Sequence, residues 1–194
     1  MHRIRAFFCI ELSHEIRTSI AGIAGSVRAA VQLRASWVRE PNYHITVRFL
    51  GEIDPMATIE LEGVSRSVCQ RIQPFELVLG TLGAFPSTDR PRVLWLGDEA
   101  APAFRGLSTS LDVGLRAIGF PRERKDAIAH ATIARIKGRS DPSLADAVAR
   151  AQPRTPLRMR VEYLTLMQSE LRPQGALYSA LFRTPLGGAH GNAD

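Results

Sequence analysis

The sequence predicts a duplicated α+β fold whose two halves meet at one cleft, and three observations carry that expectation. Runs of β-branched and aromatic residues alternate along the chain with apolar stripes at helical spacing. A short pattern, His44-Ile45-Thr46-Val47, returns as His130-Ala131-Thr132-Ile133, both times inside a strand-forming run. An Asp-Pro pair, an arrangement that starts helices, follows each pattern at nearly the same distance, as Asp54-Pro55 and Asp141-Pro142. Repetition of this kind predicts two equivalent halves on a pseudo-two-fold axis, with the two patterned strands brought together at one cleft.

The elements follow in order. Arg3 to Leu12 is apolar and aromatic and reads as a buried strand. Ser13 is positioned to cap a helix, Glu15 suits its first turn, and Ile16, Ile20, Ile23, Val27 and Val31 fall on one helical face. Trp37 to Asn42 connects to the first patterned strand, Tyr43 to Leu50, on which Ile45, Val47 and Phe49 are expected in the core. Leu61, Val64, Val68 and Ile72 give the second helix its stripe, ended by Pro74. Phe75 to Leu82 alternates as a strand, Ala84 to Pro91 reads as a loop, and Val93 to Leu96 as a central strand. Phe104, Leu107, Leu111 and Leu115 mark a third helix, stopped by Gly119-Phe120-Pro121. The charged segment Arg122 to Lys125 is expected to be exposed, ahead of the second patterned strand, Ile128 to Ile136. Leu144 and Val148 line a short helix, Leu157 to Val161 alternates as a strand, and Ala176 to Phe182 is the last strand. Pro185 onward, glycine-rich and without periodicity, reads as a loose tail.

The chain has 194 residues, enough for one compact domain or two lobes sharing a cleft. Its composition, 45% hydrophobic and 23% charged, excludes wholesale disorder. No uncharged apolar run approaches the roughly 18 residues of a membrane span, and Ala6 to Ile10 is too short for a secretory core, so a cytoplasmic protein without membrane contact is expected. Cys9 and Cys69 lack metal-ligand spacing and read as buried free thiols. A formal net charge of +6, spread along the chain, favours anionic partners such as phosphates and nucleic acid.

The repeated pattern carries the chemistry. His and Thr two positions apart on a strand project from the same face. Imidazole titrates near neutrality, so one copy serves as a base while the other serves as an acid. Threonine hydroxyls donate to charged oxygens without adding charge. Two of each suit in-line attack on a phosphodiester. No carboxylate stands at ligand spacing from either histidine, and no nucleophile elbow or phosphate-binding glycine loop occurs, so no metal or other cofactor is expected. Arg48 shares the parity of His44 and Thr46 and is in position to meet phosphate, whereas strict alternation points Arg135 away from His130 unless the strand bends. Tyr43, Trp37 and Trp95 read as packing residues. Arg122, Arg124 and Lys125, like Arg158 and Arg160, read as solvated or as an aid to steering an anionic partner, and His2, His14 and His190 carry no assignment.

Longer segments around these residues identify a resemblance. Tyr43 to Glu52 (YHITVRFLGE), Leu82 to Pro86, Pro91 to Gly97 and His130 to Arg135 together resemble the 2H phosphoesterase superfamily, and within it the RNA 2′,3′-cyclic phosphodiesterases, also called 2′-5′ RNA ligases. The chain departs from that family's pattern at Ala127, Ala129 and Ala131, where an aromatic, a proline and a larger aliphatic are usual. The resemblance implies a single bilobal domain over 1–186 with a tail over 187–194, built from antiparallel sheets with outer helices. It implies metal-independent hydrolysis of an RNA 2′,3′-cyclic phosphate end, or of a small cyclic nucleotide, to the 2′-phosphate. His130 would be the base and His44 the acid, with Thr46 and Thr132 on the phosphate and Arg135, with Arg48, on the substrate. Ligation from the same site and a non-catalytic RNA-binding module are the alternatives, and a two-lobed repeat has little need of a partner subunit.

Overall fold

A computed structural model describes residues 3–98, 100–124, 127–138, 141–173 and 175–188. The first strand, β1 (Ile4–Glu11), is buried on both faces over Ala6 to Ile10, as its unbroken apolar run dictates. In α1 (His14–Ala30) the Ser13 hydroxyl accepts the Ile16 N–H, and Ile16, Ile20, Ala24 and Val27 form the buried stripe. A short strand, β2 (Ala35–Trp37), precedes β3 (His44–Ile53), which carries the first pattern. The Asp54 carboxylate then accepts the Met56 N–H and opens a 3-10 turn over Pro55–Ala57 that leads into α2 (Thr58–Cys69). The chain continues through β4 (Phe75–Leu79), β5 (Thr81–Phe85), β6 (Val93–Asp98), α3 (Pro102–Ala117) and β7 (Ala129–Ile136), which carries the second pattern. After it come α4 (Leu144–Arg150), β8 (Leu157–Val161), β9 (Tyr163–Arg172) and β10 (Gly175–Pro185). Asp141 caps the approach to α4 by accepting from the N–H and hydroxyl of Ser143, and it also takes the N–H of Gln32.

Eight strands form one antiparallel sheet in the order β10-β9-β1-β3-β7-β6-β5, with β2 on β7, while β4 and β8 pair separately. The order is symmetric about the junction of β3 and β7. On one side β1 pairs with β3, and on the other β6 pairs with β7. The outer strands are exchanged between halves: β9, from the second half, pairs with β1, and β5, from the first, pairs with β6. The helices cross over in the same way, α1 packing on α4 and β7 and α3 on α2 and β3. Each half is therefore completed by the other.

Several expectations need correction. Phe75 to Leu82 is not one strand, since the chain leaves β4 at Gly80 and enters β5 in a different sheet. Part of the expected loop, Ala84 and Phe85, belongs to β5 and is held by Gln152, whose amide bonds both backbone groups of Leu82. Tyr163 to Arg172, polar at its far end, is a strand because it lies between β1 and β10. Phe49 is 52% exposed rather than in the core. The start of the expected tail is tied down, the Gly187 N–H donating to the carbonyls of Cys69 and Ile72; residues 189–194 lie outside the described residues. Cys9 and Cys69 are buried and free, and burial pushes both thiols up, Cys69 to about 11. No helix among the described residues is long and apolar enough to cross a membrane.

Candidate active site

The two patterned strands meet at a single bridge, Ile45 opposite Ala131. Antiparallel pairing about that bridge sets His44 across from Thr132 and Thr46 across from His130, all four on one face. The two histidines are then diagonal neighbours across the strand pair, within reach of one ligand. His44, Thr46, His130 and Thr132 line one cleft of about 1310 Å³. Ala131, buried at the bridge, keeps the two strands close, and Ala129 is equally buried.

Each imidazole is oriented in the same way. Nδ1 of His44 donates to the carbonyl of Asn42 at 2.8 Å, and Nδ1 of His130 donates to the carbonyl of Ile128 at 2.8 Å. A carbonyl only accepts, so in each neutral ring the proton sits on Nδ1 and Nε2 presents its lone pair. Thr46 Oγ1 lies 3.2 Å from Nε2 of His44, whereas no such bond joins Thr132 to His130 among the described residues. Burial lowers the pKa of both histidines; the backbone carbonyls oppose it, and the Arg135 guanidinium lowers both further. For His44 the charge of His130 adds to that lowering.

Rings enclose the imidazoles. Phe7 lies 4.8 Å from the His44 ring and Tyr178 stands edge-on at 5.1 Å, while Phe85 stands edge-on to His130 at 5.2 Å. Asn42 does two jobs, since its side-chain amide also ties the carbonyl of Ala176 on β10. Beneath His130 the backbones approach so closely that a Cβ on Gly97 would fall 2.2 Å from the carbonyl oxygen of Ala129. One sign of this position was visible beforehand, a glycine closing an otherwise bulky strand run.

A β-bulge follows each threonine. On β3 the register steps from Cys9–Thr46 to Phe8–Arg48 and leaves Val47 unpaired; on β7 it steps from Trp95–Thr132 to Leu94–Ala134 and leaves Ile133 unpaired. Each bulge reverses the alternation. Arg135 is thereby exposed and lines the cleft, as does Phe49, its counterpart on β3. Arg48 and Ala134 turn inward instead. Arg48 is only 7% exposed, pairing with Glu123 at 2.8 Å and Asp112 at 3.5 Å and donating to the carbonyl of Pro121. Arg48 still lines the cleft, and its guanidinium fastens the wall at Glu123. Of the other cations, Arg158 pairs with Glu76 and Arg160 with Glu162 away from the cleft, while Arg122 and Arg124 are exposed. Lys125, His2 and His190 lie outside the described residues. His14 is on the surface beside Glu40. Tyr43 and Trp95 are buried. Sequence reasoning missed Arg5 and Phe7, which pairing of β1 with β3 brings to the cleft, Asn42, which precedes β3, and Phe85 and Tyr178, which arrive through the exchanged strands. No group of three or more metal-ligating side chains occurs among the described residues.

This geometry has relatives. The chain matches the LigT-like phosphoesterase family twice, over residues 10–95 and 96–178, one match per half. It is 32% identical to the RNA 2′,3′-cyclic phosphodiesterase of Methanothermobacter thermautotrophicus over 178 residues, covering 91% of this chain and 96% of the relative. The Aeropyrum pernix protein of the same name is 35% identical over 147 residues, covering 75% and 82% of the two chains. Among solved structures, TT0787 of Thermus thermophilus superposes with a TM-score of 0.76 at 27% identity, covering 96% of this chain and 100% of that one. E. coli LigT complexed with NADP+ superposes with a TM-score of 0.70 at 25% identity, covering 96% and 99%.

Proposed function

The chain belongs to the LigT-like phosphoesterase family, and from that premise we propose that it hydrolyses RNA 2′,3′-cyclic phosphate ends to 2′-phosphates with its two histidines and no metal. The observation that carries this reading is the quartet of two imidazoles and two hydroxyls about one strand junction, with Arg135 lining the same cleft. The cyclic phosphate sits between the rings. Nε2 of His130, free of a threonine partner, takes a proton from water as the water oxygen bonds to phosphorus. The P–O3′ bond breaks on the opposite side, and His44, protonated on Nε2, gives its proton to O3′. The product is a 2′-phosphate with a free 3′-hydroxyl. Thr46 and Thr132 donate to the non-bridging oxygens, and Arg135 meets the charge that builds there. Phe49, exposed beside this centre, offers a flat face to the terminal base.

The test is incubation with a short RNA ending in a 2′,3′-cyclic phosphate, in EDTA, with identification of the product. A 2′-phosphate is expected at the rate seen without chelator. Loss of the activity in EDTA would point to a metal enzyme, a 2′-5′-joined product to ligation, and binding without turnover to a recognition module.

A further inference from the structure

The cleft is longer than the reaction needs. At about 1310 Å³ it exceeds the roughly 300–1,000 Å³ that encloses a drug-sized ligand. Its lining crosses the sheet from β10 to β5, so the catalytic quartet occupies the middle of a trough. On the β1–β9–β10 side, Arg5 pairs in register with Ser169, and Ser169 with Tyr178, and all three line the trough. Arg5 is exposed and has no ion pair or side-chain hydrogen bond among the described residues, although Glu52 is its cross-strand neighbour on β3. Burial raises the Tyr178 phenol while Arg135 and then Arg5 oppose that rise, so the phenol stands within the field of both guanidiniums. The opposite end of the trough differs: there Arg92 stands among Phe85, Pro86 and Val93. One end thus combines a guanidinium, a hydroxyl and a phenol in a single cross-strand row, and the other joins one cation to apolar surface.

A cyclic mononucleotide carries one phosphate, which the quartet uses. The next phosphate along an RNA end is the phosphodiester on the 5′ side of the terminal ribose. We propose that Arg5, Ser169 and Tyr178 form a subsite for that phosphodiester, which makes the substrate an RNA strand end rather than a free cyclic mononucleotide. The proposal rests on the function proposed above and specifies which of its substrates the cleft is built for. The row supplies a charge and two neutral donors in a groove, the combination that positions a nucleic-acid backbone without reading its sequence.

The test compares kcat/KM for uridine 2′,3′-cyclic phosphate with that for a trinucleotide ending in the same group, for the wild type, Arg5→Gln and Arg92→Gln. The wild type is expected to favour the trinucleotide, and Arg5→Gln to lower the trinucleotide-to-mononucleotide ratio about tenfold or more. The salt dependence of trinucleotide binding should also become shallower by about 0.7 in log–log slope. A ratio unchanged in Arg5→Gln, or one that falls in Arg92→Gln instead, overturns the subsite. So does a wild type that turns over the mononucleotide as well as the trinucleotide, although the catalytic pair then stands. Turnover of neither substrate overturns both readings.

Discussion

The strands β3 and β7 each carry the same two functional groups, a histidine and a threonine, on the same backbone path, yet their flanks have diverged. Both hold a histidine by a carbonyl two residues upstream, and both bulge after the threonine. Beyond the bulge the contents are exchanged: β3 buries an arginine and exposes a phenylalanine, while β7 buries an alanine and exposes an arginine. The exposed residue lines the open cleft, and on β3 the buried one holds its wall. The rings differ as well: aromatic rings flank both, but among the described residues only His44 has its Nε2 beside a threonine hydroxyl. A symmetric scaffold thus presents two unlike imidazoles, as the proposed acid–base pair requires.

The comparison can be broken most directly at the histidines. His44→Ala and His130→Ala should each lower turnover by about two to four orders of magnitude. In the residual activity the acidic limb of the pH–rate profile should vanish in His130→Ala and the alkaline limb in His44→Ala; the reverse pattern would exchange the roles, and near-full activity in either would end the mechanism. Thr46→Val and Thr132→Val should cost roughly 10- to 100-fold in kcat, as expected for one hydrogen bond to a charged group. The loss should be larger for Thr46, which also contacts His44. An equal loss would mean that the contact is idle. Arg48→Met should cost about 3 kcal/mol by removing the buried cation that pairs with Asp112 and ties down Pro121 and Glu123, which in a chain of this size lowers Tm by about 6–12 °C. Arg135→Met should leave Tm nearly unchanged and depress kcat/KM, so thermal melts and kinetics on the two variants must cross. The smallest effect concerns pH. Both histidines lie below 6.5, so the population with one ring protonated peaks on the acid side, and the maximum of kcat/KM should fall below pH 6.5. Between the lowered folded values and 6.5 the unfolded chain binds more protons, so stability should decline as pH falls through that window. A maximum above about pH 7 would refute the direction of the shifts.

The patterns themselves, the duplication and the helical stripes were legible because they rest on local periodicity. The bulges were not. A bulge is a mismatch between two strands, and Val47 or Ile133 alone gives no sign of being the extra residue. Strict alternation therefore puts Phe49 in the core, whereas it is exposed in the cleft, and leaves the Arg48 guanidinium free, whereas it lines the cleft wall paired with Glu123 and Asp112. The strand Tyr163–Arg172 was equally hidden: Gln168, Ser169 and Glu170 suggest surface, and only the neighbouring β1 and β10 make them part of the sheet. Partner choice over long sequence separations also explains why Tyr178 could not be foreseen beside His44.

The exchange of outer strands has a consequence on the ribosome. Strand β1 is finished early, but its outer neighbour β9 begins only at Tyr163, well after β3 has ended at Ile53. At ordinary elongation rates the wait is roughly 5–20 s. During it, the most apolar strand of the sheet has one edge unpaired, open to any other extended chain. For the nascent protein, aggregation during synthesis is thus a race between the arrival of Tyr163 to Arg172 and capture by a neighbour. Substitutions that slow the pairing of β9 should reduce soluble yield before they change any property of the finished enzyme.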